Sequence, residues 1–210
     1  DTPEKLRKKR IAISRFGSAA HYAVRLVLMK MGIDPDKDVQ VLQVGDESLR
    51  LAAIRQGSVD ATVLTPPSNL TARNLGFRVL TSLHEAEVQY SFDHLLVTRA
   101  FANKIKVAVQ GFLKGFLHGI AYMKKNRRES VETLKRWMRL NDQNALDETY
   151  RIFVEMIPAK PYGSEEGWRN LLDVLTATNP KAKLLQSKEM FDYTYLREID
   201  KSGFIDALYR

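Results

Sequence analysis

The sequence predicts an α/β protein whose parallel sheet is covered by helices, and three observations carry that prediction. Residues 1–90 alternate short apolar strand-like runs with amphipathic helical stretches, joined by short connections. Glycines, prolines or capping residues stand at almost every junction. From about residue 91 onward the pattern turns almost wholly helical.

The opening unit is residues 10–32, RIAISRFGSAAHYAVRLVLMKMG. Ile11 and Ile13 alternate with small residues, which suits a buried parallel strand. Ser14, Arg15, Phe16, Gly17 and Ser18 are turn chemistry, since Gly17 can take φ > 0 and Ser18 can cap the next helix. Tyr22, Leu26 and Met29 then recur at helical spacing until Gly32 ends the helix. Such a turn, at a strand's carboxyl end, points backbone N–H groups and a helix dipole at whatever sits there. That suits a carboxylate, sulfonate or phosphate. Arg15 adds a fork able to clamp such a group bidentately.

VQVLQV (39–44) is the second strand, Gly45-Asp46 a turn, and Asp46 the cap of a helix carrying Leu49, Leu51, Ala52, Ala53 and Ile54. Gly57 closes that helix. Residues 60–64 give a third strand that Thr65-Pro66-Pro67 stops, a short helix runs to Asn74, and FRVLTSL (77–83) reads as a fourth strand. HLLVT (94–98) reads as one more. Residues 104–126 place Ile105, Val109, Phe112, Phe116, Ile120 and Met123 on one helical face. Further helices are expected to start near Ser130, Asp142 and Ser164, with a linker at 157–164 and a last helix from about Asp192 to Ser202-Gly203. These helices carry apolar faces with one strand to cover, so they form a bundle or belong against a sheet from elsewhere.

Composition removes several function classes. The chain of 210 residues is 44% hydrophobic, enough for a real core in one large or two small domains. No apolar run reaches the roughly 18 residues of a membrane-spanning helix, so direct membrane insertion is not expected. The absence of cysteine rules out disulfides, thiolate metal sites and cysteine nucleophiles. The four histidines never take the i, i+4 spacing of a helical metal site, Ser18 lacks a G-x-S-x-G setting, and no phosphate-loop glycine motif occurs. Neither a catalytic residue, a metal ligand nor a cofactor is therefore expected. The net charge of +8 is spread along the chain. Its one dense cluster, KKNRR (124–128), reads either as a solvated helix end or as a partner-docking patch. With no aromatic-studded basic groove or helix-turn-helix, nucleic acid is not an expected partner. Trp137 and Trp168 read most simply as core.

The order RIAISRFGS plus helix, then LAAIRQGSVDATVLTPP, then GFRVL, resembles the periplasmic substrate-binding proteins of ABC importers. Within that family it is most similar to the sulfonate, taurine, nitrate and thiamine-precursor (NMT1-like) group. YLREIDKSGFIDALY (195–209) resembles the family's closing helix and turn, so the likeness extends over nearly the whole chain. The resemblance implies the periplasmic-binding-protein-like type II fold, a parallel-sheet lobe with flanking helices plus a helix-rich partial second lobe. Residues 1–90 would be lobe two, and 91–210 the returning strand and helical C-terminal part of lobe one. The N-terminal part of lobe one would lie outside the chain. It implies an exported, periplasmic protein that captures a small anionic or aromatic molecule in an interlobe cleft and passes it to ABC permease transmembrane subunits.

By family position, Ser14, Arg15, Phe16, Gly17 and Ser18 would line the cleft, and Gly45, Thr65 and Pro66 follow the next strands at the same sheet edge. Each has an ordinary alternative. The first five also make a plain capped β–α turn, Phe16 can stack on a ligand or cover the core edge, and Thr65 can be turn chemistry. Asp46 is explained by capping alone. Two other classes share the fold outline. One is a ligand-sensing regulatory domain. The other is a pyrimidine-precursor synthase, whose implied chemistry needs a pocket histidine and a cysteine-rich iron site that a cysteine-free chain cannot build.

Overall fold

A computed structural model describes residues 3–89, 94–186 and 191–210. In chain order it contains β1 (Arg10–Ile13), α1 (Ala19–Lys30), β2 (Gln40–Gln43), α2 (Glu47–Arg55), β3 (Ala61–Thr62) and α3 (Ser68–Asn74). Then follow α4 (Arg99–Lys104), α5 (Lys106–Lys125), α6 (Arg127–Met138), α7 (Gln143–Met156), α8 (Glu165–Thr178), α9 (Thr194–Lys201) and α10 (Phe204–Ala207). The chain divides into two compact units. The first is Asp1–Phe92 with Ser164–Leu185, and the second is Asp93–Gly163 with Gln186–Arg210. The first therefore takes in Ser164–Leu185, a segment that the sequence places with the second part.

In the first unit the sheet order is β2-β1-β3, all parallel. Central β1 is buried through Ile11, Ala12 and Ile13, as a strand flanked on both edges and covered on both faces must be. Its side chains pack with Val24 and Leu28 of α1, with Ile33, and with half-buried Val39, Val41, Ala61 and Val63. In this unit the predicted caps form. Ser18 accepts from His21 N, Asp46 from Leu49 N and Ser164 from Gly167 N. α8 packs against α1 and buries Trp168 and Val174.

Two predicted strands do not form. Residues 77–83 and 94–98 carry no strand assignment among the described residues, and Val79, Leu80, Leu95 and Leu96 are exposed. Their apolar alternation fits a pleated strand, but a strand is defined by a partner, and β3 itself pairs over only two residues.

In the second unit α5 and α9 pack through Leu117, Leu196 and Ile199, with Ile205 of α10, while α6 and α7 pack through Val131, Leu146 and Tyr150. The predicted continuous helix face over 104–126 is corrected here. The chain breaks at Ile105 (φ −131°, ψ 51°), and the buried stripe of α5 is Val109, Leu117, Ile120 and Ala121. Phe112 and Phe116 stand exposed off that stripe. Ser130 does not cap α6. It lies inside the helix, whose start is flanked by Asn126. Asp142 does cap α7, through Ala145 N. The helix expected last, from about Asp192, is α9, which begins at Thr194 with its N–H on Asp192 Oδ1; Gly203 ends it in the left-handed region, and the short α10 follows. Trp137 is 77% exposed, against the core reading. The 124–128 cations are all engaged: Lys124 on Val154 O, Lys125 on Leu208 O, Arg127 on Asp147 and Arg128 on Glu129.

Candidate anion-binding rim at the sheet's carboxyl edge

The three strands of the first unit end at one edge, and their register decides what meets there. Ile13 pairs with Gln43, and Ala12 with Thr62. Beyond those pairs the Val44 and Gly45 N–H groups both reach Ile13 O, at 2.9 and 3.4 Å, and the turn 14–18, Gly45 and Thr65 follow the three strand ends at one rim. β1 is followed by the turn 14–18 and α1, β2 by Gly45-Asp46 and α2, and β3 by Thr65-Pro66 and α3. Strand ends in open α/β sheets are where ligands sit.

The turn after β1 is held from within. Ser14 Oγ donates to Ser18 Oγ at 2.8 Å, Ser18 Oγ donates to Arg15 O at 2.7 Å, and Ser18 Oγ accepts His21 N at 3.2 Å. Gly17, at φ +76°, gives its N–H to His21 Nδ1 at 3.0 Å, and Phe16 gives its N–H to Gln43 Oε1 at 3.2 Å. The Phe16 and Gly17 amides that the sequence offered to a ligand are thus already used. The first-turn amides of Ala19 and Ala20 have no backbone partner, as the start of any helix dictates. Phe16 is 59% exposed and stands edge-on to the His21 ring at 5.2 Å. The exposed Arg15 guanidinium has no partner among the described residues, so it is the cation this rim presents.

His21 is buried, which pushes its pKa below the ordinary 6.5, and the buried Arg25 cation lowers it further while Asp36 partly opposes this. With Nδ1 accepting, the neutral ring carries its proton on Nε2. Arg25 itself is clamped bidentately by Asp36, at 2.5 and 2.6 Å.

The other side of the rim is built from α2. Thr65 donates both its N–H and its hydroxyl to Glu47 Oε1, each at 2.9 Å. Arg50 donates to Gly45 O at 2.8 Å and to Val63 O at 3.1 Å. Sequence reasoning did not single out Gln43, Glu47 or Arg50 and left His21 among scattered histidines. One signal was readable: His21 stands three residues after Ser18, the place whose side chain reaches back to the turn in a capping box. Of the predicted residues, Arg15, Gly45 and Thr65 share the rim. Ser14 and Ser18 are occupied with the turn, and Pro66 joins Pro67 by a cis bond just beyond.

No curated protein matches the sequence. The model of the NMT1-like family matches residues 1–135. A solved structure from Bordetella bronchiseptica RB50 aligns with a TM-score of 0.73 at 18% identity, over 96% of this chain and 67% of its own. The periplasmic aliphatic sulphonate binding protein SsuA from Escherichia coli aligns with a TM-score of 0.65 at 24% identity, over 85% of this chain and 56% of its own. The chain therefore spans about two thirds of the first relative and little more than half of the second. The fold is α/β with a parallel sheet and many helices, similar to that of a periplasmic binding protein.

Proposed function

Because the chain belongs to the NMT1-like family, we propose that it is a solute-binding protein that captures a small anionic or aromatic molecule, a sulfonate first among candidates, with nitrate and pyrimidine-like molecules behind it. The observation that carries this reading is the exposed guanidinium of Arg15, which has no partner among the described residues. It lies in the turn between β1 and α1, whose first-turn amides of Ala19 and Ala20 have no backbone partner among the described residues, at the sheet edge that Gly45 and Thr65 also follow. A guanidinium fork beside a helix N-terminus suits a group with several acceptor oxygens. The fold's likeness to a sulphonate-binding protein supports the sulfonate class. Phe16 adds an apolar ring for an aliphatic or aromatic tail. Recognition of this kind requires no covalent step and no cofactor. In this reading the bound solute is handed to the transmembrane subunits of an ABC importer, and a place in the periplasm is supported by the likeness to SsuA, a periplasmic protein.

The test is a thermal-shift screen against alkanesulfonates, nitrate, aromatic carboxylates and pyrimidines, with a DNA duplex as control. A ligand at a hundred times its dissociation constant adds about 2.7 kcal/mol of apparent stability. One small-molecule class should raise the melting temperature, and Arg15→Ala should abolish the rise. Undiminished binding of that class by Arg15→Ala would remove the clamp from the mechanism. A response to DNA alone would overturn the solute-binding reading.

A further inference from the structure

We propose that Arg50 is a positioning residue for the anion site, cross-bracing the carboxyl ends of β2 and β3 so that Gly45 and Thr65 are held at the sheet edge where the turn carrying Arg15 begins. The inference rests on reading that rim as the binding site, and it adds a residue that contacts no ligand.

β2 and β3 are not neighbours, because β1 lies between them. One guanidinium nevertheless joins them: Nη1 holds Gly45 O after β2, and Nη2 holds Val63 O after β3. A second link runs the same way. Glu47, at the start of α2 after β2, fixes the Thr65 N–H and hydroxyl after β3, and its Oε1 lies 3.6 Å from Arg50 Nη2. Arg50 is 3% exposed, and its Nε has no hydrogen-bond partner among the described residues. A buried cation spent mainly on two carbonyls contributes little to stability compared with an apolar residue of its size. What it supplies is geometry, since the planar fork addresses two acceptors at once and a lysine ammonium does not. Both carbonyls belong to the strand ends that flank β1, so loss of the fork frees the rim while the β1 core of Ile11, Ala12 and Ile13 stays intact.

Arg50→Lys tests this, with Glu47→Ala as a second route to the same rim and Val59→Ala as control. Val59 is buried at the opposite end of β3, so its truncation destabilises the sheet without touching the rim. Amide hydrogen exchange is read over residues 43–47 and 63–66, and affinity is read by calorimetry with ethanesulfonate and nitrate as probes. Both rim variants should speed exchange in those two segments. Arg50→Lys should also weaken probe binding by about tenfold, as loss of an outer partner of a binding group does. Val59→Ala should leave probe affinity unchanged at an equal loss of melting temperature. Unchanged exchange in Arg50→Lys, or an equal affinity loss in Val59→Ala, overturns the proposal. If the unaltered protein binds neither probe, the sulfonate and nitrate reading of the rim fails separately. The exchange data still decide the brace: faster exchange at 43–47 and 63–66 upholds it, and unchanged exchange ends it.

Discussion

Nδ1 of His21 accepts the backbone N–H of Gly17 at 3.0 Å, so an imidazole and a left-handed glycine hold each other across the start of α1. Ser18 caps α1 between them. The arrangement needs a neutral ring, because a protonated Nδ1 would face an N–H donor with a second donor.

That relationship sets a pH dependence. Burial first, then the Arg25 cation, place the folded pKa of His21 below the unfolded 6.5, while Asp36 acts the other way. A group with a depressed folded pKa binds fewer protons when folded, so its contribution is intact above the unfolded value. It is lost as pH falls through 6.5 toward the lower folded pKa. Urea midpoints should fall on acidification from neutral through that window. His21→Asn keeps an acceptor for Gly17 and cannot titrate, so its fall over the same window should be smaller. Identical pH profiles would show that this pair does not carry the effect.

Gly45 stands at φ +118°, and a Cβ built there would lie 2.8 Å from Cδ1 of Leu49. The backbone term dominates, since the Leu49 side chain is exposed and free to move away. Gly45→Ala should destabilise by about 1–3 kcal/mol in chemical denaturation. Adding Leu49→Ala should recover little of that loss. Full recovery would mean that the clash, not the dihedral, is the obstacle.

The elements legible in the sequence are those whose causes are local. Ser18, Asp46, Asp142 and Ser164 cap helices because a short oxygen-bearing side chain needs only the amides two or three residues on. Residues 77–83 and 94–98 were misread because strand formation depends on a partner that local pattern does not reveal. The site divides in the same way. That the turn 14–18, Gly45 and Thr65 follow strand ends at one edge was readable from the order of strands, but Glu47 reaching Thr65 spans 18 positions and Arg50 reaching Val63 spans 13. Such contacts arise only once α2 has crossed the sheet, and no spacing rule announces them.

At the amino end of the sheet, Arg10 opens β1 and Asp60 precedes β3. Arg10 Nε donates to Asp60 Oδ2 at 2.9 Å, Nη2 to Oδ1 at 3.2 Å, and the Arg10 N–H to Oδ2 at 2.9 Å. The Arg10 guanidinium, its backbone N–H and its charge hold Asp60 down at about 2, against the ordinary 3.8. A depressed carboxylate contributes stability above its unfolded value, and that contribution is lost as pH falls from 3.8 toward about 2. Asp60→Asn should be the less stable protein at neutral pH. The gap should close as the urea series reaches the acid end of that window. A gap that persists undiminished there would assign the loss to packing and not to charge.

Thr149 of α7 is 0% exposed, and its Oγ1 has no hydrogen-bond partner among the described residues. A helical threonine can return its hydroxyl to a carbonyl one turn back, but this one does not. It is packed within the turn that carries Leu146 and Tyr150, the apolar contact between α6 and α7. A buried hydroxyl left unsatisfied costs about 1–3 kcal/mol, and valine has nearly the same shape without it. Helix propensity barely separates the two residues, so the exchange isolates the hydroxyl. Thr149→Val should therefore stabilise by about 1 kcal/mol, roughly 2–4 °C in melting temperature for a chain of this size. Thr149→Ser makes the opposite change, keeping the hydroxyl and deleting the methyl, and should destabilise by about 0.8 kcal/mol. The order valine, threonine, serine in thermal stability is the signature of an unsatisfied hydroxyl. Threonine above valine would show that the hydroxyl is satisfied, by a water held between α6 and α7.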